Sequence, residues 1–405
     1  MNVLTVHNYY KKSGGEDVVV SNEANMLSKQ GHQVYSYFRN NKELDKGGII
    51  SKLKLVIDTV FSLRTYREVR RIIREKKIDI VHVHNTLPLI SPAVYYAARS
   101  MKVPVVQTVH NFRLQCPAAT FYRNNSICED CTSKGLRCSV KHGCYRDSKL
   151  QTLAVATSMG IHRLLGIYRK IYYICLTDFN KAKLLSDKAL RLRDNQVFVK
   201  PNFVYDTGLD RAYGLDSRLD QYLVIGRLEK LKGTDVILRT WKELGDKAPK
   251  LVFCGTGDLE KQARAYVAKH QISNVEFKGF VDNDKLKELI NTSKALLFAP
   301  QWYEGFGIVI AEAFSCATPV VASNIGNPGN LVNDGYSGLT FTYNSTSDMQ
   351  RAILKLEALE NEEYIQLQKH ALKEASKYTA TANYSQLIGI YKSIISNEKQ
   401  GKTIK

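Results

Sequence analysis

No apolar run in these 405 residues approaches the ~20 that a membrane-spanning helix requires, so no transmembrane segment is expected. Low-complexity tracts and short repeats are missing as well, which argues against linker-like chains and solenoids. The opening run Asn2-Val-Leu-Thr-Val-His7 reads as a strand with no basic leader or cleavage site, and a cytoplasmic location is expected on that ground. Carboxylates are scarce in one half only. Residues 1–200 hold 33 Lys and Arg against 15 Asp and Glu, whereas 201–405 hold 25 against 24, so +18 of the net +19 belongs to the first half. Such asymmetry points to a polyanionic partner: nucleic acid, an anionic membrane surface or an anionic lipid-linked substrate.

The remaining composition is that of an ordinary globular protein, 44% hydrophobic and 24% charged, long enough for two full-sized cores. Strand and helix patterns alternate from Val3 to Val109, with one long helical stretch from Ile50 to Lys77, and alternate again from Tyr222 to Cys316. That rhythm predicts an α/β fold: two Rossmann-like domains, 1–200 and 201–379, each a parallel sheet with helices on both faces. The break between them falls near Asn202 to Leu219, and ligands are expected at the carboxyl ends of the strands, in a cleft between the domains. A last helical pattern, about Ala380 to Ser396 within the segment 380–405, carries Tyr384, Leu387, Ile388, Ile390, Tyr391 and Ile394.

The most informative stretch is Gln-Trp-Tyr-Glu304-Gly305-Phe306-Gly307-Ile-Val-Ile-Ala-Glu312, which places two carboxylates eight positions apart across a loop-to-helix junction. Glu312 sits in a helix pattern apolar on nearly every face, so it either pairs with a core Arg or Lys or waits for a polar ligand such as a ribose diol. The Gly-bearing start of that helix suits an anion and lets a bulky group approach the backbone. A glycosidase pair is the competing reading. A helical spacing would set the α-carbons about 12 Å apart, whereas glycosidase carboxyl pairs lie ~5 to 9.5 Å apart. One elongated ligand held at both ends, sugar near Glu304 and nucleoside near Glu312, fits better.

Arg227 and Lys232 follow the first strand of the second domain, and two cations at a strand's carboxyl end can neutralise a departing diphosphate. Asp282-Asn-Asp284 has the look of a metal-binding Asp-x-Asp pair, but it precedes a helix, where Asp282 is an expected N-cap. Gly14 and Gly15 follow the first strand and precede a helix, a place where a phosphate or acceptor can approach the backbone closely; Glu16 and Asp17 beside them favour the helix N-terminus. His82 and His84 share one face of a strand, with no third metal ligand of matching spacing in sight.

Between Ile49 and Lys77 an apolar band (Ile49, Ile50, Leu53, Leu55, Val56, Val60, Phe61, Leu63) leads into a basic one (Arg64, Arg67, Arg70, Arg71, Arg74, Lys76, Lys77), the pattern of a membrane-surface helix or of a core-facing helix with a solvated outer side. Five of the eight cysteines fall in residues 116–144: Cys116, Cys128, Cys131, Cys138 and Cys144. In a cytosolic chain this clustering predicts a structural zinc held by Cys116, Cys128, Cys131 and Cys144, with Cys138 as the alternative ligand, in an excursion over residues 116–146.

Glu304-x7-Glu312 before Pro319-Val-Val-Ala-Ser, with Ser13-Gly-Gly15-Glu16, Thr108-Val-His110-Asn111, Gly226-Arg227-Leu, Lys232-Gly233 and Gly255-Thr-Gly257-Asp258 in this order and spacing, resembles the retaining glycosyltransferases of family four along most of the chain. The resemblance implies the GT-B architecture, with an acceptor-binding first domain, a nucleotide-sugar-binding second domain and the last helix crossing back onto the first. It implies metal-independent transfer of a hexose or N-acetylhexosamine from a UDP- or GDP-sugar, without a catalytic cofactor. His110 would stand beside the donor sugar, Glu304 and the Phe306 and Gly307 amides would hold that sugar, Glu312 would take the ribose, and Arg227 and Lys232 would stabilise the leaving diphosphate. Gly14, Gly15, Gly257 and Gly305 complete the nucleotide-sugar site that the resemblance implies. The chain departs from the family pattern at Ala317, where a glycine usually precedes Thr-Pro, and at Asn327-Pro-Gly-Asn330, where Gly and an acidic residue are common.

The expected partners are therefore the nucleotide sugar, a lipid-linked saccharide acceptor of surface polysaccharide assembly and an anionic membrane surface, at which the protein would sit peripherally on the cytoplasmic side. Nucleic acid is not expected, because a nucleic-acid-binding protein would explain the charge and leave Glu304 and Glu312 without a role. A glycoside phosphorylase of the same architecture would need a phosphate pocket or cofactor-lysine motif that the sequence does not display. A non-catalytic membrane scaffold would bind liposomes without turning over nucleotide sugar.

Overall fold

A computed structural model describes residues 1–11, 14–46, 49–206 and 210–400, without the side chains of 46 and 49–54. Ser13 and the side chains of Ile49, Ile50 and Leu53, named above, lie outside the described residues, as do 401–405. The chain divides into two compact units: residues 1–123, 128–202 and 381–405 form the first, and 124–127 with 203–380 form the second.

The first unit is built on six parallel strands: β1 (Asn2–Tyr9), β2 (Gln33–Asn40), β3 (Ile80–Asn85), β4 (Val105–Val109), β5 (Tyr172–Cys175) and β6 (Val197–Val199). Their order is β2-β1-β3-β4-β5-β6. Parallel strands need crossovers, and helices such as Gly15–Lys29 supply them. Val3, Leu4, Val6, Val81, Val83 and Val106 are fully buried, because a parallel sheet is covered on both faces and its strands read as continuous apolar runs.

The expected long helix between Ile50 and Lys77 is two helices, Ile49–Val60 and Leu63–Lys76. Ser62 breaks them: it is extended, and its hydroxyl accepts from the Thr65 amide as an N-cap at 3.3 Å. Val69 and Ile73 of the second helix are buried in the core, so its basic residues form the solvated outer side of a core-facing helix.

The second unit repeats the plan with β7 (Leu219–Ile225), β8 (Lys250–Cys254), β9 (Val275–Gly279), β10 (Ser293–Phe298), β11 (Val320–Ser323) and β12 (Gly338–Phe341), all parallel, in the order β9-β8-β7-β10-β11-β12. In each sheet the order reverses beside the first strand of the unit, the switch at which open α/β sheets hold ligands. Arg218, buried just ahead of β7, donates to the carbonyls of Cys316 and Ala317 at 3.1 and 3.0 Å and pins the end of the helix Ile308–Ser315.

The last helix, Ala380–Lys399, packs within the first unit. Its Tyr391 hydroxyl lies 2.6 Å from His82 Nδ1, Asn383 Nδ2 donates to the Pro201 carbonyl, and Glu398 pairs with Arg99 at 3.2 Å.

Candidate functional site

In the second unit, the carboxyl ends of β7 and β10 frame a small pocket lined by Val224, Gly226, Arg227, Lys232, Phe298 and Ala299. Lys232 reaches it from a short turn after β7. Its Nζ lies 2.6 Å from Glu304 Oε2 and over the rings of Phe298 and Trp302, at 5.6 and 5.9 Å. The structure thus joins Lys232 and Glu304, 72 positions apart in sequence, into one site. Arg227 instead projects outward, two-thirds exposed, and pairs with Glu229 at 2.8 Å.

The turn carrying Glu304 is fastened by a residue that the sequence displayed only as a departure from a pattern. Asn327, fully buried, donates through Nδ2 to the carbonyls of Glu304 and Gly305 at 2.6 and 2.8 Å. Phe306 is buried edge-on against Tyr378, ring centroids 5.6 Å apart, so its side chain anchors the turn. Gly307 caps the helix Ile308–Ser315 at φ +84°, a left-handed conformation that glycine adopts freely. In that helix Glu312 is half-buried among Val309, Ala311, Ala313 and Phe314. No Lys or Arg among the described residues lies within ion-pair distance of its carboxylate. Burial raises the Glu312 carboxyl above its ordinary value, and the charge of Lys287 opposes that only in part. Of the two alternatives in the sequence, a core cation or a polar ligand, the described residues do not supply the first.

Gly257 owes its identity to the neighbouring backbone. The loops after β7 and β8 run together through Gly226 N–H to Cys254 O and Leu228 N–H to Thr256 O, at 3.0 and 3.1 Å, and a Cβ on Gly257 would fall 2.4 Å from the Leu228 carbonyl oxygen. Gly14 and Gly15 differ: among the described residues, and apart from chain neighbours and the helix's own backbone, no heavy atom comes within 4 Å of the place where a Cβ would stand. Asp282, as expected, is an N-cap, its Oδ1 accepting from the Lys285 amide at 3.0 Å.

In the first unit a polar network lies within the sheet at the ends of β1, β3 and β4. His82 contacts Glu23 Oε1 at 2.9 Å and Thr108 Oγ1 at 2.7 Å, and His84 Nδ1 meets His110 Nε2 at 2.9 Å with the rings stacked. Burial lowers His110 to about 3, so it is a neutral imidazole at physiological pH. Glu23, on the helix Gly15–Lys29, is the third group that the sequence did not reveal beside His82 and His84; its separation along the chain hid it. One ligand atom from each of the three lies within 4.8 Å of the others. A cation is already in place, however, because Glu23 Oε2 is 3.1 Å from the buried Lys200 Nζ, which also meets Asn383 Oδ1 at 3.1 Å. Burial alone would raise the Glu23 carboxyl; Lys200 and His82 outweigh it and hold the group well below the usual range. The trio is a charge-compensated core network tied to the last helix.

Asp17 caps its own helix by accepting from the Gly14 amide at 3.1 Å and also meets His7 Nε2 at 2.7 Å. Glu16 turns inward beside Tyr10 and Asn111, and burial lifts its carboxyl to about 8. All five cysteines of the 116–144 cluster are free thiols. Burial pushes Cys131 up to about 12, with Cys116, Cys144, Cys128 and Cys138 adding to it, so the five are neighbours. No three of their sulfurs close to within 4.8 Å of one another among the described residues. The donor set suits zinc in kind, soft thiolates in excess of the four required.

These features have counterparts in known proteins. Residues 13–127 match the family described as Glycosyltransferase Family 4, and residues 208–377 match Glycosyl transferases group 1. An uncharacterised glycosyltransferase of Methanocaldococcus jannaschii is 26% identical over 93% of both chains. An uncharacterised 42.6 kDa protein from the cps region of Klebsiella pneumoniae is 24% identical, covering 80% of this chain and 86% of its own. The Anabaena protein HepE, solved in complex with UDP, superposes with a TM-score of 0.68 at 15% identity, covering 97% of this chain and all of HepE, a likeness of fold. With two parallel-sheet units and both family matches in sequence order, the chain belongs to glycosyltransferase family four and has the GT-B fold.

Proposed function

We propose that this glycosyltransferase moves a hexose or N-acetylhexosamine from a UDP- or GDP-sugar, with retention of configuration, to a lipid-linked saccharide in the assembly of a surface polysaccharide. One observation carries the donor reading: Lys232 and Glu304 meet at the carboxyl ends of the strands, and the following helix holds a half-buried carboxylate, Glu312, with no Lys or Arg at ion-pair distance among the described residues. Glu312 would accept from the ribose hydroxyls, and the Phe306 and Gly307 amides with Glu304 would hold the sugar. As the bond from the sugar's anomeric carbon to phosphate oxygen breaks, Lys232 would neutralise the charge on the diphosphate, joined by Arg227 once it leaves Glu229. On the same face of the sugar the acceptor hydroxyl forms the new bond and gives its proton to the departing phosphate. With Lys232 and the released Arg227 both at the diphosphate, a divalent metal would be unnecessary.

The first unit would bind the acceptor. HepE, solved with UDP, and the relative from a cps region support a nucleotide donor and a polysaccharide setting. A peripheral position on the cytoplasmic face of the membrane fits a lipid-linked acceptor and the +18 charge of residues 1–200. A panel of nucleotide sugars tested by thermal shift and then for turnover in EDTA checks the reading. A donor that stabilises the protein and is consumed without metal supports it; stabilisation by none, or turnover only with Mg²⁺, overturns it.

A further inference from the structure

The helix Lys149–Leu164 is apolar on both faces, and the described residues cover only one of them. Its inner side, Thr152, Ala154, Val155, Ala156, Ser158, Met159 and His162, is buried. Ser158 Oγ donates to the Thr59 carbonyl at 3.1 Å and His162 Nε2 lies 2.8 Å from the Val60 carbonyl, which fixes the helix across the end of Ile49–Val60. The outer side repeats at helical spacing through Leu150, Leu153, Thr157, Ile161 and Leu164, all exposed, and Leu165 extends it past the helix end. Leu164 is 85% exposed and Leu150 67%. Beside the two anchoring carbonyls, Ile57 and Leu63 are exposed as well, at 69% and 58%. A surface helix of a water-soluble domain ordinarily turns a polar face outward, and a contiguous run of large exposed side chains marks a surface with a second environment.

The charges around it say which. Lys141, Arg146 and Lys149 lead into the helix, Arg169 and Lys170 follow it, and Arg64 and Arg67 come after Leu63; Asp147 is the only carboxylate in residues 141–170. A protein partner chosen by this surface would need a matching acidic rim around an apolar centre, whereas a bilayer containing anionic lipid offers both over its whole area. We propose that this face, the outer stripe of Lys149–Leu164 with Ile57 and Leu63, is a docking surface for an anionic lipid bilayer, with the leucines entering the boundary between headgroups and acyl chains. The inference deepens the reading of a lipid-linked acceptor by naming the surface that meets the membrane; the helix Leu63–Lys76, which carries the basic band, spends its own apolar side on the core.

The test is flotation of the full-length protein with phosphatidylglycerol–phosphatidylcholine vesicles and with phosphatidylcholine vesicles, without donor or acceptor. Leu150→Ser, Leu164→Ser and Leu165→Ser combined remove three side chains that are 67, 85 and 59% exposed, so melting temperature should change little. Affinity for the anionic vesicles should fall by ~100-fold or more, since each chain withdrawn from lipid loses a full side-chain burial. Arg64→Gln with Arg67→Gln should weaken binding at low salt and little at high salt, where the attraction is screened anyway. Nucleotide-sugar affinity, measured by calorimetry, should be the same in every variant, so failure of the donor reading and failure of this one are separable. The proposal is overturned if wild type does not float with anionic vesicles, or if the triple variant floats like wild type. It is equally overturned if the triple variant changes only the oligomeric state, which would make the stripe a contact between copies of the chain.

Discussion

Replacing Glu312 with glutamine should move stability and binding in opposite directions. The half-buried carboxyl has no cation partner among the described residues, and its raised value means that the folded state holds a proton more tightly than the unfolded state does. As pH climbs above the ordinary glutamate range, about 4.3, folding must bury a charge that the unfolded chain leaves in water, so the wild type loses stability through that window and regains none above it. Glutamine keeps the shape and removes the charge. Glu312→Gln should therefore melt higher than wild type at neutral pH, with the gap closing as the pH falls below about 4. Donor binding should suffer, because hydroxyl groups lose a charged acceptor: ~1 to 3 kcal/mol, or about 5- to 150-fold in Kd. Thermal melts across the pH range and calorimetry with the donor found in the panel give the two readings. A folded variant with unchanged affinity, or one destabilised at neutral pH, would refute the argument and make Glu312 a structural carboxylate.

Lys200→Met should strand the buried Glu23 carboxylate at the core of the first unit and cost about 3 to 5 kcal/mol, read as a lowered midpoint in urea; a loss under about 1 kcal/mol would mean that the pair is not carrying that charge. Ala317, fully buried at φ +52°, occupies a conformation that favours glycine, so Ala317→Gly should stabilise the protein by about 0.5 to 1 kcal/mol, and a destabilised variant would show that the methyl's packing outweighs the strain. Protein purified under reducing conditions should carry about one zinc per chain by elemental analysis, as a four-thiolate structural site requires, and brief EDTA that leaves it filled should spare activity; metal-free folded protein would remove the zinc.

Periodicity made the two α/β units legible in the sequence, because a parallel sheet covered on both faces forces continuous apolar strands and amphipathic crossovers at regular intervals. The parts of the proposed donor site stand out in the sequence for a related reason: Glu304, Gly307 and Glu312 lie within one loop-to-helix junction, and a carboxylate in an apolar helix is conspicuous without coordinates. Asp282 could be assigned as a cap because capping is decided within four residues. Long-range pairing could not be read this way. That Lys232 meets Glu304 while Arg227 turns to Glu229, that Asn327 ties down the Glu304 turn, and that Glu23 and Lys200 close a buried network with His82 depend on which chain ends the sheet order brings together. Exposure behaves likewise. The stripe from Leu150 to Leu164 has the same apolar periodicity as a core helix, and only the fold decides that its second face is left exposed among the described residues.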